Sequence, residues 1–343
     1  MTAAFARRSP AAVALALGTV YLVWGSTYLA IRVTDRTLPP LLMSSVRFLI
    51  AGAALYAFAS RGRARPTRRE WTAAAITGAA LLLVGNGGVA WAETRLDSGF
   101  AALIVAIIPL YVALFDWAFF GRRLSPVAVT GLAVGFAGVA LLVRPGGGND
   151  VGVALVLVAT TSAWAAGSLY ARGAPLPASP LLSASMQMLS AALFLGIAGL
   201  ASGEANDVHA SSFTLKPLLA FAYLVVVGSL IAFSAYAWLL KNVRISVVAT
   251  YAFVNPVVAV ALGTLFLGET IGWSTILAGA AIVTAVVLIV TAKQRYPESR
   301  EELQSETAEA PLGGAVPRRD RAGARALRAG RRALPAGARH GSG

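Results

Sequence analysis

Val23 to Arg32 reads VWGSTYLAIR, a polar and aromatic centre inside an apolar run long enough to cross about 30 Å of hydrocarbon as a helix. Lipid cannot satisfy the hydroxyls of Ser26 and Thr27 or the ring donors of Trp24 and Tyr28. Such groups either line a polar path or hold helices together. Similar residues recur at membrane depth and form two sets, one in each half of the chain. The first is Trp24, Ser26, Thr27, Tyr28, Arg47, Asn86, Trp91 and Tyr111; the second is Trp164, Ser168, Tyr170, Ser234, Tyr236, Trp238, Tyr251 and Asn255. Trp24 and Trp164 fall near mid-helix, where an interfacial aromatic belt does not account for them; Trp91 and Tyr28 lie near helix ends, where it does. Ser26, Thr27, Ser168 and Ser234 serve close helix packing as readily as they serve a solute.

Arg47, in SSVRFLIAG, is the one basic residue well inside an apolar run, about two turns from its start. A guanidinium at that depth faces a bundle interior or a wet cavity, or else snorkels to the headgroups. Pro109 and Pro256 each remove a backbone hydrogen bond, leaving the carbonyls of Val105 and Ala252 for a polar cavity or a neighbouring hydroxyl. Asn255 places an amide beside the second proline. Ala102, Ala106, Pro109, Ala113 and Asp116 form one face of small residues ending in a carboxylate, a packing face by default. Glu93, Asp116 and Glu269 are the candidates for carboxylates that couple proton movement to transport.

Other chemistry is excluded by what is missing. There is no HExxH, GxSxG or GxxxxGK[ST] pattern and no acidic pair within one helix, so neither hydrolysis nor ATP use is indicated. Cys is absent and the two histidines, His209 and His340, lie outside the apolar runs, so a metal or other cofactor is not expected. The chain is 57% hydrophobic and 13% charged, too apolar for a soluble domain of 343 residues. Its net charge of +14 does not mark a nucleic-acid groove, since 11 of the 29 lysines and arginines lie beyond residue 292.

Apolar runs of spanning length cover residues 12–33, 40–60, 72–92, 98–120, 126–143, 152–171, 180–202, 216–239, 245–267 and 271–292. The fold class is therefore an all-α integral membrane protein with ten transmembrane helices. The first run is full length and reads as a span rather than a cleavable leader. With the N-terminus inside, the inner loops hold Arg7, Arg8, Arg61, Arg63, Arg65, Arg68, Arg69, Arg122, Arg123, Arg172, Lys241 and Arg244; the outer ones hold Arg32, Arg36, Arg95, Arg144 and Lys216. That excess places both termini in the cytoplasm. The halves form a weak repeat: Ala90-Trp91 matches Ala237-Trp238, Pro109 matches Pro256 and Gly121 matches Gly268 at one offset, and Gly25-Ser26-x-Tyr28 is echoed by Gly167-Ser168-x-Tyr170. Five helices per unit mean that the second copy enters from the opposite side, as in secondary transporters built from inverted repeats. The units span 1–143 and 152–292, and 293–343 is a basic cytoplasmic tail whose composition cannot bury a core.

With these features, the chain resembles the EamA-type drug/metabolite transporters over almost its whole length to about residue 292. The likeness rests on two five-helix units, WGSTY, the VRF that contains Arg47, Gly99-Phe100-Ala101-Ala102 through Pro109, and Gly268-Glu269. It departs at Gly121-Arg122, where relatives resemble Gly-Glu. The resemblance implies transport of small metabolites, commonly export of amino acids or related compounds including drugs, through a central cavity between the repeats. The alternatives are a membrane enzyme acting on lipid-linked substrates, which needs clustered titratable groups at one interface, and a non-transporting scaffold or receptor, which has no use for inverted halves. The partners expected are a small-molecule substrate and the lipid bilayer, with no nucleic acid. An Arg-rich, Ala-rich composition points to a GC-rich bacterial genome and hence a bacterial cell membrane.

Overall fold

The computed structural model describes residues 9–121, 125–143 and 150–291, and all regular structure among them is helical. Arg7, Arg8, Arg122, Arg123, Arg144 and the expected tail from 293 lie outside the described residues. The ten expected runs are all helical: α1 Pro10–Asp35, α2 Pro40–Ala59, α3 Arg68–Glu93, α4 Ser98–Val105 with Ile108–Phe120, α5 Pro126–Leu142, α6 Val151–Gly173, α7 Pro180–Ala201, α8 Leu215–Asn242, α9 Ile245–Val248 with Tyr251–Leu267, and α10 Trp273–Thr291. Eight of these are long and apolar enough to cross a membrane outright; Pro126–Leu142 and Val254–Leu267 are shorter apolar helices.

The helix starts follow from local chemistry. Proline occupies the first turn of α1, α2, α5 and α7, where its missing N–H costs nothing. Thr67 and Glu70 form a reciprocal capping box that starts α3 four residues before the apolar run. Asp150 accepts from Val153 N at 3.1 Å to start α6. Gly121 and Gly268 end α4 and α9 in left-handed backbone, φ 64° and 67°, a conformation that favours glycine.

The packing is inside-out relative to a soluble protein. Leu15, Leu49, Phe58, Leu193, Leu265 and Phe266 are exposed on the outer surface, while Thr27, Ser44, Arg47, Glu93, Ser168 and Asn255 are buried. The most extensive helix pairs are α2 with α7 and α5 with α10. α1 packs on α8 and α9 and also meets α2, α3 and α4, while Leu15 and Leu22 remain exposed on its outer side.

Three interruptions of regular helix matter for the site. α3 is π-helical over Ala79–Asn86 and α8 over Leu224–Phe233, stretches whose last residues correspond at the same offset as the sequence repeat. Gly87 N donates to the carbonyl of Leu82, five residues back. Such segments are rare and collect at functional sites. The third interruption is the break in α4 at Ala106-Ile107, just before Pro109; α9 breaks at Ala249-Thr250 and carries Pro256 within its next segment.

Candidate functional site

Both π-helical stretches, the break in α4, and α1, α2, α6 and α9 meet around one cavity of about 660 Å³, counting its open mouth. Of the residues singled out in the sequence, Trp24, Thr27, Tyr28, Arg47, Asn86, Trp164, Tyr251 and Asn255 line it. They come from both halves of the chain. The size falls within the roughly 300–1,000 Å³ usual for small-molecule sites.

At one end four rings close together. Trp24 lies 5.4 Å from Trp164 and 5.4 Å from Tyr251, both edge-to-face, and 4.8 Å from Tyr236. Tyr236 OH receives a hydrogen bond from Trp164 Nε1 at 3.2 Å and shares one with Ser168 Oγ at 2.7 Å. Aromatic pairs in this arrangement contribute about 0.5–1.5 kcal/mol beyond the area they bury. Beneath this floor a smaller cavity of about 280 Å³, counting its opening, reaches Lys241 and shares Phe233 with the main one.

Arg47 dominates the wall. It is 3% exposed, its Nε donates to Ser229 Oγ at 2.8 Å, and its Cζ lies 4.8 Å from the Phe48 ring centre. Gly228 leaves room for the guanidinium, since a Cβ there would stand 3.2 Å from Nη2. Nη1 makes no hydrogen bond, and neither does Asn86 Oδ1 on the facing helix. One charged donor and one amide acceptor are thus buried without partners beside the same space. Asn255 is different: oriented to satisfy its surroundings, its amide donates to the carbonyls of Tyr21 at 2.9 Å and Tyr251 at 3.2 Å, tying α9 to α1.

The WGSTY stretch divides its residues among neighbours. Trp24, Thr27 and Tyr28 face the cavity, Gly25 faces α9, and Ser26 shares a 2.5 Å hydrogen bond with Tyr223 of α8. The hydroxyls of Ser26 and Thr27 also donate to the carbonyls of Val23 and Trp24, so neither is left unsatisfied in the bundle.

Other residues proposed from sequence lie away from the cavity. Tyr170 is 39% exposed on the outer face of α6. Tyr111 OH donates to Val158 O at 3.1 Å and its ring stacks on Phe115, a packing contact between α4 and α6. Pro109 and Pro256 sit beside the lining residues Ile108 and Asn255 without lining the space themselves, and Ser234 is buried on α8 outside it. Trp91 lies at the end of α3 with Arg95 over its ring at 5.1 Å.

The three candidate carboxylates part company. Asp116 is buried in the second segment of α4, away from the cavity. Glu269 accepts from Ser98 N at 2.9 Å, Ser98 Oγ at 2.8 Å and Gly99 N at 3.1 Å, which caps the first turn of α4. Beside it in the α3–α4 loop, burial and the Glu269 charge push the Asp97 carboxyl above its usual range, with Arg32 opposing them. Glu204, beyond α7, caps α2 in the same way through Leu41 N and Leu42 N at 3.0 and 2.8 Å. Glu93 is wholly buried at the end of α3. Sequence reasoning missed Phe48, Gly228, Ser229, Phe233 and Asp35. Phe48, Gly228 and Phe233 carry no polarity signal of their own, whereas Ser229 is a hydroxyl inside the 216–239 run and was as visible as Ser234; Asp35 continues the Trp24, Tyr28, Ile31 face of α1 by one more turn, a spacing visible in the sequence.

A helical bundle with apolar residues on its outer surface and a cavity lined from both halves by rings, apolar side chains and a few polar groups is the architecture of a multi-pass membrane protein with room for a solute. The chain belongs to the EamA-like transporter family, which it matches over residues 11–144 and 151–291. It is 41% identical over 286 residues to an uncharacterized inner membrane transporter, YedA, of Escherichia coli (strain K12), covering 82% of this chain and 92% of that one. It is 26% identical over 282 residues to an uncharacterized transporter, YvbV, of Bacillus subtilis (strain 168), covering 81% and 91%. A protein of Streptantibioticus cattleyicolor named as a "probable terminal-alkyne amino-acid exporter" is 27% identical over 288 residues, covering 80% and 92%. One crystal structure superposes with a TM-score of 0.60 at 22% identity, covering 88% of this chain and all of the other, a likeness of fold.

Proposed function

We propose that this chain is a secondary transporter that exports small amphiphilic metabolites, amino acids or related compounds among them, by alternating access of the central cavity between two inverted five-helix repeats. The observation that carries this reading is a pair of cavities separated by an aromatic floor, with the unpartnered Arg47 Nη1 and Asn86 Oδ1 in the wall of the larger one. Arg47 suits a substrate carboxylate and the rings suit an apolar body. The wall offers hydroxyls and one guanidinium but no carboxylate to act as a base, which supports a carrier over an enzyme. The matched π-helical stretches and glycine ends support the repeat. The named exporter among the relatives supports the direction and substrate class. Counterflow decides: proteoliposomes preloaded with unlabelled amino acids take up labelled ones transiently above equilibrium if the reading holds, and show none if it fails.

The loop charges support an orientation with Glu93, Asp97, Glu204 and Glu269 outside, both termini in the cytoplasm and the bundle in a bacterial cell membrane. The chain has no Cys, so single cysteines report cleanly. Asn206→Cys in intact cells is expected to react with an impermeant maleimide, and Arg65→Cys only after the cells are opened; both positions are exposed. Labelling of Arg65→Cys in intact cells reverses the topology.

A further inference from the structure

The cavity face of α1 runs through Trp24, Tyr28 and Ile31 and reaches Asp35 one turn later; that of α3 runs through Asn86 and Val89 and reaches Glu93. Two helices that wall the cavity thus each end, one turn beyond it and on the same side, in a carboxylate. None of the four carboxylate oxygens makes a hydrogen bond, and each is sealed from solvent. The two groups are within electrostatic reach of each other and of Arg32; Arg47 and Glu204 also act on Asp35, and Glu269 and Tyr28 on Glu93. Arg32 spends one donor on the Glu93 backbone carbonyl rather than on the carboxylate. Asp97 faces Glu269 and Arg32 on the adjoining loop. Elsewhere at this end the acids are consumed as caps, Glu204 on α2 and Glu269 on α4. Asp35 and Glu93 alone among these four hold no backbone donor.

Burying two ionised carboxylates within electrostatic reach of each other and without donors is costly, and the cost disappears if they carry protons or meet a cation. No group of three or more His, Cys, Asp or Glu that could hold a metal ion exists among the described residues. Resting on the transporter reading above, we infer that Asp35 and Glu93 form a proton-binding pair at the outer mouth of the cavity, for which the ammonium group of a zwitterionic substrate competes. The substrate carboxylate then takes Arg47 Nη1 and its body lies on the aromatic floor. As the ammonium arrives, a proton leaves a carboxyl for water; no covalent bond changes. Because substrate and proton occupy the same carboxylates in turn, their movements are opposed. The pair therefore narrows the substrate class to zwitterions and supplies the coupling that an exporter needs.

The test is made in proteoliposomes with labelled L-amino acids, comparing counterflow with accumulation driven by an acid lumen. The parent chain is expected to show both. Asp35→Asn and Glu93→Gln should lose gradient-driven accumulation at least tenfold while counterflow persists at higher substrate concentration. Accumulation equal to the parent in both variants, or dependence on a sodium gradient instead, overturns the pair. Counterflow missing from the parent itself overturns the transporter reading instead. If neither variant folds, the infrared C=O stretch of protonated carboxyls in the parent decides: a band that falls on adding the amino acids supports the proposal, and one that does not respond overturns it.

Discussion

Arg47→Ala inserts at least as well as the parent chain and carries almost no substrate. An arginine near mid-helix raises insertion cost by about 2.5–3.5 kcal/mol on translocon scales, so its removal does not hinder membrane integration. In the folded bundle, however, it takes away the only basic group among the described residues of the cavity wall and leaves Ser229 without its 2.8 Å partner. A hydrogen bond to a charged group contributes about 1.5–3 kcal/mol, which corresponds to a fall in transport of about tenfold or more. Arg47→Lys restores the charge but cannot both hold Ser229 and offer a second planar donor to a carboxylate, so it recovers only part of the rate. Uptake into inverted vesicles, normalised to inserted protein, measures this. Full activity of Arg47→Ala removes the residue from the binding site; full rescue by lysine shows that charge alone suffices.

Gly25→Ala is expected to destabilise the bundle by about 1–3 kcal/mol, the usual cost of overpacking. A Cβ at Gly25 would stand 2.6 Å from Val258 Cβ and 3.3 Å from the Asn255 Cα, so α1 and α9 must separate at the cavity wall. The control lies on the same helix: a Cβ at Gly18 meets nothing within 4 Å, and Gly18→Ala gains helix propensity without a clash. Val258→Gly, which removes both the Cβ and the Cγ1 in the way, should partly rescue Gly25→Ala. Thermal unfolding of the detergent-solubilised proteins, followed by size-exclusion fluorescence, compares the four. Equal melting of Gly18→Ala and Gly25→Ala means that the close approach is not needed.

The positions of the ten helices were legible because hydropathy and polar breaks act locally, and the ends moved by only a few residues where caps such as Thr67 and Asp150 extend a helix beyond its apolar run. Which way a residue faces was harder. On α1, which has helix neighbours on several sides, Ser26 read like Thr27 although one meets α8 and the other the cavity. Tyr170 and Tyr111 share the residue type of Tyr236 and Tyr251, and only the packing of α6 and α4 separates lipid-facing or structural rings from those of the floor. Asp35 stands at the end of a span, and nothing local in the sequence says that Arg47 and Glu93 come within electrostatic reach of it from other helices. The π-helical stretches carry no composition signal: Ala79–Asn86 reads as ordinary apolar helix.

Those stretches make α3 and α8 behave as though they had a reading frame. Each lengthens its backbone hydrogen-bonded loop by one residue, so the downstream part of the helix is turned by about 100° from where an uninterrupted α-helix would have put it. Upstream, Gly78 abuts the Gln187 backbone of α7; downstream, Asn86 and Val89 address the cavity. A regular α-helix of the same residues would still be long and apolar enough to span the bilayer, yet it would swing Asn86 and Glu93 out of register with Trp24 and Asp35, whereas loss of one residue within Ala79–Asn86 removes the surplus and restores that register. A one-codon deletion in the regular helix to either side is thus a frameshift in space: the polypeptide remains a membrane protein, and the two walls of its cavity no longer refer to each other.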